Sequence, residues 1–89
     1  MAYIISYVPS TQTRNSKLID KIKSYPSWAI LSAYTFIITT PPDMKPSTIR
    51  DDLTLYLRLN DKIFVAELSG QAAWRAFDLN MSNWFKKNL

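Results

Sequence analysis

Side chains able to do chemistry are few in this sequence, and the two most versatile types are missing. The chain has no His and no Cys. Histidine acid–base catalysis, Ser-His-Asp and Cys-His triads and the usual zinc sites are therefore excluded. The single glycine, Gly70, cannot supply a phosphate-binding loop of the Walker or dinucleotide type. Carboxylates, basic side chains and aromatic rings remain.

The carboxylates show no spacing typical of a catalytic or metal site. Asp51 and Asp52 are adjacent on a predicted helix, so they point in different directions and are expected to face solvent. Asp61 follows Asn60, a pair typical of a turn. Glu67 lies in a predicted strand, and we expect it to be solvated or paired on the sheet surface. The sequence thus predicts no catalytic residue, no metal site and no cofactor.

Three basic residues at helical spacing are the candidate nucleic-acid contacts. Arg14, Lys17 and Lys21 fall three and four residues apart, so they form a basic stripe if the first helix begins early enough. Such a stripe can contact phosphates, and the net charge of +4 is compatible with a polyanionic partner. Lysines at this spacing also suit the solvated side of an amphipathic helix, so both interpretations stay open.

Aromatic residues on the predicted strands suggest a second way to bind nucleic acid. Tyr3, Tyr7, Tyr34 and Phe36 lie on these strands, and aromatic rings on an open sheet face stack bases in RNA-recognition domains. The glycine- and basic-rich aromatic motif of such domains is missing from the third strand. Burial under helices or in a dimer is the competing interpretation.

The C-terminal segment is too apolar to float free in solvent, because it contains Trp74, Phe77 and Trp84. It either folds back over the sheet or docks on a second subunit. An open sheet face needs a cover, so we predict a homodimer with these three residues at its interface.

Hydrophobic periodicity indicates the elements that carry these residues. Strands are predicted over residues 3–8 and 62–68, and a hairpin over residues 28–40 breaks near Ser32-Ala33. One helix ends before Pro26, and a second begins at Pro46 and continues through Tyr56 and Leu57, with Arg58 facing water. A terminal helix containing Trp84 and Phe85 would be capped by Asn80 or Ser82.

This order predicts one α+β domain over residues 1–89. The expected architecture is a ferredoxin-like βαββαβ antiparallel sheet, with both helices on one face and a C-terminal tail or helix. No signal pattern and no apolar stretch of about 20 residues is present. We therefore expect a cytoplasmic protein with no membrane partner.

Five short motifs stand out along the chain: Ala2-Tyr3-Ile4-Ile5-Ser6-Tyr7, Ser24-Tyr25-Pro26-Ser27-Trp28, Ser47-Thr48-Ile49-Arg50-Asp51-Asp52-Leu53, the run from Asn60 to Gly70, and the tail around Trp84, Lys86, Lys87, Asn88 and Leu89. In these motifs the chain resembles the CRISPR-associated spacer-acquisition endoribonucleases (Cas-two-like), including their solitary toxin-like ribonuclease relatives. Together the motifs cover nearly the whole chain, although each is short.

The resemblance implies a ferredoxin-like homodimer in which an Asp just after the first strand binds a divalent metal for phosphodiester hydrolysis. Val8 stands at the matching position, within Tyr7-Val8-Pro9-Ser10. Magnesium requires oxygen ligands, and valine offers none. We therefore expect a family member that has lost its nuclease activity.

The leading hypothesis is a non-catalytic dimeric binding protein that engages nucleic acid or a protein partner. Such a protein could act as a phage or mobile-element regulator or as an inhibitor of host defence. One alternative is a metal-dependent endoribonuclease that uses displaced carboxylates such as Asp61 or Glu67. Another is a single-strand RNA binder with Tyr3, Tyr7 and Phe36 as stacking platforms.

Overall fold

The computed structural model describes all residues, Met1–Leu89, as four strands and three helices. The strands are β1 (Ala2–Val8), β2 (Ser27–Ser32), β3 (Thr35–Thr39) and β4 (Lys62–Glu67), and the helices are α1 (Ser16–Ile22), α2 (Pro46–Thr54) and α3 (Leu79–Asn88). The strands form one sheet in the order β2-β3-β1-β4, with every neighbouring pair antiparallel. The predicted α+β class is confirmed.

The core lies on one face of the sheet, because β1 alternates strictly between buried and less buried residues. Tyr3, Ile5 and Tyr7 point to this face, where they meet Phe36 and Ile38 of β3. Helices α1 and α2 cover the same residues, and they contribute Leu18, Ile22, Ile49 and Leu53. Both helices therefore pack on one face of the sheet.

Both of these helices are shorter than their apolar periodicity predicts. Helix α1 begins after Asn15, whose side-chain Oδ1 accepts a hydrogen bond from the Leu18 amide at 3.1 Å. Helix α2 begins at Pro46, as predicted, and ends at Thr54. Tyr56 lies in the turns after the helix, so the predicted continuation of α2 through Tyr56 and Leu57 is wrong.

The chain after β4 crosses to the second face of the sheet. Gly70 has a φ of +94°, a conformation that side-chain-bearing residues rarely adopt. The residues after Gly70, including α3, line a cavity with Ile4, Leu31 and Ile37 of the sheet. Helix α3 is capped by Asp78, which accepts from the Met81 amide at 2.8 Å, and not by Asn80 or Ser82 as predicted.

The two edge strands differ in regularity. Edge strand β2 carries a register shift between Ile30 and Ser32, whereas β4 pairs with β1 without interruption from Lys62 to Glu67. Of the helices, none combines the length and the apolar character needed to cross a membrane.

Candidate nucleic-acid interface

The carboxylate of Asp61 lies at the centre of a hydrogen-bond network at one end of the sheet. Its Oδ2 accepts from the Tyr7 hydroxyl at 2.8 Å and from the Arg58 amide at 2.9 Å. Its Oδ1 accepts from the Ser10 amide and the Ser10 hydroxyl, both at 2.7 Å. The Asp61 side chain is completely buried, so both oxygens are committed to partners within the chain.

This network controls the ionisation of Asp61. Burial alone would raise the pKa of the carboxyl group, but hydrogen bonds from Ser10, Arg58 and Tyr7 outweigh it and hold that pKa well below its usual range. Asp61 is therefore a stable anion that joins the end of β1 to the turn before β4.

Arg58 extends the network to the loop between β1 and α1. Its Nη2 donates to the Thr13 carbonyl at 2.6 Å and to the Tyr7 hydroxyl at 3.3 Å, and its Nε lies 3.6 Å from Asp61 Oδ2. The predicted position of Arg58 on a helix is wrong, and its side chain, 35% exposed, bonds within the chain. Since Ser10 and Thr13 are both held, the loop that carries Arg14 is fixed to the sheet.

A cleft of about 260 Å³ opens beside this loop, between α1 and the β2–β3 turn. Gln12, Arg14, Asn15 and Tyr34 are among the residues that line it. Tyr34 stands in the turn and not on a strand as predicted, and it is 45% exposed. Its ring meets the Tyr7 ring edge-on at 6.1 Å, which fixes its orientation.

A shallow depression is connected to the cleft through Asn15. The Asn15 side-chain amide donates to the Tyr56 carbonyl at 2.8 Å, and Tyr56 lines the depression with Lys17 and Lys21. Asp20 lines the same depression and lowers its positive potential. The cleft and the depression together present three cations and two partly exposed rings. We call this region the basic-aromatic surface, and it consists of Arg14, Lys17, Lys21, Tyr34 and Tyr56.

The structure brings the three predicted basic residues to this surface, but not as one helical stripe. Lys17 and Lys21 are one turn apart on α1, whereas Arg14 precedes the helix and lines the cleft. None of the three forms an ion pair with a carboxylate of the chain. The Lys21 ammonium lies over the Tyr25 ring, 5.6 Å from its centroid, a partly exposed contact of modest strength. The role of the three basic residues as nucleic-acid contacts stays a prediction.

Sequence reasoning missed Tyr56 and Arg58 as members of this region, and it placed Tyr34, one of its candidate rings, on a strand. The sequence did contain a signal for the exposure of Tyr34, because this residue lies next to the expected hairpin break and turn residues are exposed. Tyr56 and Arg58 gave none, because their spacing matched the apolar and polar sides of a continuing helix.

The aromatic residues predicted as stacking platforms lie in the core. Tyr3, Tyr7 and Phe36 face α1 and α2 and are buried, so they cannot stack on bases. The Tyr3 hydroxyl donates to the Met44 carbonyl, which satisfies its polar group within the fold.

The three predicted dimer-interface residues contact their own chain. The Trp74 and Phe77 rings lie 4.9 Å and 5.2 Å from the Phe85 ring, and the Trp84 indole N–H donates to the Ser27 hydroxyl at 2.8 Å. The tail therefore packs on the second face of its own sheet. A dimer contact through these residues stays a prediction.

Val8, the position matched to the metal-binding Asp, is exposed and pairs with Lys62 across the β1–β4 ladder. No group of three or more Asp or Glu side chains comes together anywhere in the structure. Asp61 is nearby, but its oxygens already accept four hydrogen bonds.

Comparison of the chain with protein-family models, with curated proteins and with solved structures finds no match in any of the three. The family resemblance read from the sequence motifs therefore stays a prediction.

Proposed function

We propose that this chain is a non-catalytic binding protein for single-stranded nucleic acid, with the basic-aromatic surface as its contact region. The observation that carries the proposal is the pairing of charge with rings: Arg14 lines the cleft with Tyr34, and Lys17 and Lys21 line the depression with Tyr56. None of the three cations forms an ion pair. Proteins that hold single strands combine cations for the phosphates with rings on which bases stack.

The exposure of the two rings supports a single strand over a duplex. Tyr34 is 45% and Tyr56 37% exposed, so each offers a ring to a base. Bases in a duplex are stacked on one another and do not reach such rings. Each base that stacks on an aromatic side chain contributes roughly 1–3 kcal/mol.

The assignment as non-catalytic rests on the carboxylates. Metal-assisted phosphodiester cleavage needs carboxylate oxygens free to bind a divalent cation. Both carboxylate oxygens of Asp61 accept hydrogen bonds from Tyr7, Ser10 and Arg58, and the side chain of Val8 contains no oxygen. Glu67 lies on the edge strand, at the far end of β4 from the loop that carries Arg14.

The arrangement of strands and helices also supports the proposed class of protein. The sheet order β2-β3-β1-β4, with α1 and α2 on one face, supports a ferredoxin-like arrangement to which a third helix has been added. We propose that the chain is a cytoplasmic, dimeric, nuclease-inactive relative of the Cas-two-like proteins, with a regulatory or defence-inhibiting role in a phage or mobile element. The valine at position 8 supports the inactive form.

The test measures anisotropy of labelled single-stranded RNA and duplex DNA at low and near-physiological salt, with and without magnesium, together with strand integrity. The variant is Lys17→Ala/Lys21→Ala. Its matched control is Lys86→Ala/Lys87→Ala, which removes the same charge from α3 on the other side of the sheet.

We expect wild type to bind the single strand without cutting it, and the α1 double variant to bind more weakly. Loss of two phosphate contacts should make the negative slope of log affinity against log salt less steep by about 1.4. The α3 variant should have the wild-type slope. Equal effects of the two variants would show that binding depends on net charge and not on the basic-aromatic surface. Magnesium-dependent cutting of the strand would overturn the assignment as non-catalytic.

A further inference from the structure

Edge strand β4 has no partner on its outer side. The Leu68 amide donates to the Ala2 carbonyl at 2.9 Å, and bonding alternates along an antiparallel ladder. Even-numbered residues of β4 therefore bond to β1, and odd-numbered ones point away from it. The free edge presents the N–H and C=O groups of Ile63, Val65 and Glu67.

This edge lacks two of the features that protect edge strands, a bulge and a proline, and its charged residues, Lys62 and Glu67, lie only at its ends. The opposite edge, β2, has the register shift at Ile30–Ser32, and its Ser27 is bonded to Trp84 of α3. Strand β4 has no bulge against β1 and no proline. Phe64, in its middle, is 66% exposed.

We propose that β4 pairs antiparallel with β4 of a second copy of this chain, about a two-fold axis at Val65. The two four-stranded sheets then form one continuous sheet. This assigns a surface to the dimer within the proposed function, and it rests on that dimer. It uses a surface apart from Trp74, Phe77 and Trp84, which are engaged on their own sheet.

The register follows from the direction of the backbone groups. Residues with outward-pointing groups must oppose each other, so Val65 faces the second copy's Val65 and Ile63 faces its Glu67. Each opposing pair exchanges two hydrogen bonds, and all three outward-facing residues of each chain take part. A two-residue shift in one direction leaves Glu67 opposite the second copy's Asp61, and a shift in the other direction leaves Ile63 opposite its Ser69. Both Asp61 and Ser69 lie outside the strand, so only the register centred on Val65 pairs strand residues throughout.

Charge favours the same register. Arg50 of α2 lines a groove with Ile63 and Val65, and the second copy's Glu67 lies opposite Ile63 on that face. The Arg50 guanidinium is held only by Asp51, in an exposed pair of little strength. Two symmetric Arg50–Glu67 contacts thus form, whereas the register shifted toward Asp61 brings Glu67 against an aspartate.

The absence of Cys in the wild-type chain allows a direct test of the register by single-cysteine variants. In the proposed dimer, opposing Cα atoms at Val65 are about 5.5 Å apart, within the range of a disulfide. We expect Val65→Cys to form a covalent dimer on mild oxidation. The matched control, Phe64→Cys, lies one residue away and is more exposed. Its two copies are diagonal, at about 7–8 Å, so it should cross-link far less.

Sedimentation of the wild-type chain and of charge-reversed variants completes the experiment. Arg50→Glu and Glu67→Arg should each weaken dimerisation about tenfold, and the double reversal should restore it. Circular dichroism checks that each variant folds. A wild-type monomer at every concentration, or cross-linking of Phe64→Cys in preference to Val65→Cys, would overturn the proposal. Loss of nucleic-acid binding in the anisotropy test with cross-linking intact would overturn the proposed function alone.

Discussion

The carboxylate of Asp61 connects the end of β1 and the loop after it to the turn before β4. Its sequence context, Asn60-Asp61, correctly indicates a turn, and Asn60 has a φ of 68°. The partners of its carboxylate could not be predicted, because Ser10 and Tyr7 are 51 and 54 residues away. The same holds for the loop that Arg58 fixes and hence for the placement of Arg14.

At the scale of this residue we predict that Asp61→Asn destabilises the fold by about 2–4 kcal/mol at neutral pH, since it removes charge-assisted hydrogen bonds in a buried site. Because folding lowers the pKa of Asp61, its contribution is complete above the unfolded pKa of about 3.9 and is lost as the pH falls below it. Urea unfolding from pH 7 to pH 2 checks this.

The matched control is Asp51→Asn, because Asp51 is exposed and bonds only to Arg50. We expect it to leave stability nearly unchanged. An Asp61→Asn variant as stable as wild type at pH 7 would contradict a structural role for the buried carboxylate.

Among the elements, α3 offers a direct comparison between the predicted and the observed helix start. Asp78→Ala removes the cap on the Met81 amide and should cost about 1 kcal/mol, whereas Asn80→Ala lies inside the helix and should cost little. Thermal unfolding of the two variants measures the difference. A larger loss for Asn80→Ala would show that the helix begins later than the structure has it.

The strands were predicted well and the helix ends poorly, for a physical reason. The strands over residues 3–8 and 62–68 were predicted from short runs of apolar, β-branched and aromatic residues, a signal that can be read locally. A helix end depends on which residue captures the free amides and carbonyls, and the spacing of apolar residues does not carry that information. The side chains of Asn15 and Asp78 cap the first turns of α1 and α3 and so set where these helices begin. The hydrogen bonds of Arg58 to Asp61, Tyr7 and Thr13 set the course of the chain after α2.

For the whole molecule, the placement of the tail predicts a concentration-independent environment for Trp84. Its indole N–H is bonded to Ser27 of the same chain, so its NMR resonance should keep its position on dilution from millimolar to low micromolar. Ser27→Ala should shift that resonance, whereas Ser32→Ala, at the other end of β2, should not. A shift of the wild-type resonance on dilution would instead favour tail docking between subunits.

The position of β1 in the middle of the sheet has a consequence for the order of folding. Only β2 and β3 are neighbours both in sequence and in space. In the sequence, α1 and β2 lie between β1 and its partner β3, and more than half of the chain lies between β1 and its partner β4. The local hairpin can form early, but β1 must wait for distant partners, and such topologies fold slowly. Until residues near 67 have joined the sheet, the apolar β1 keeps one bare edge. We therefore expect the nascent chain to be at its most aggregation-prone just before β4 is complete.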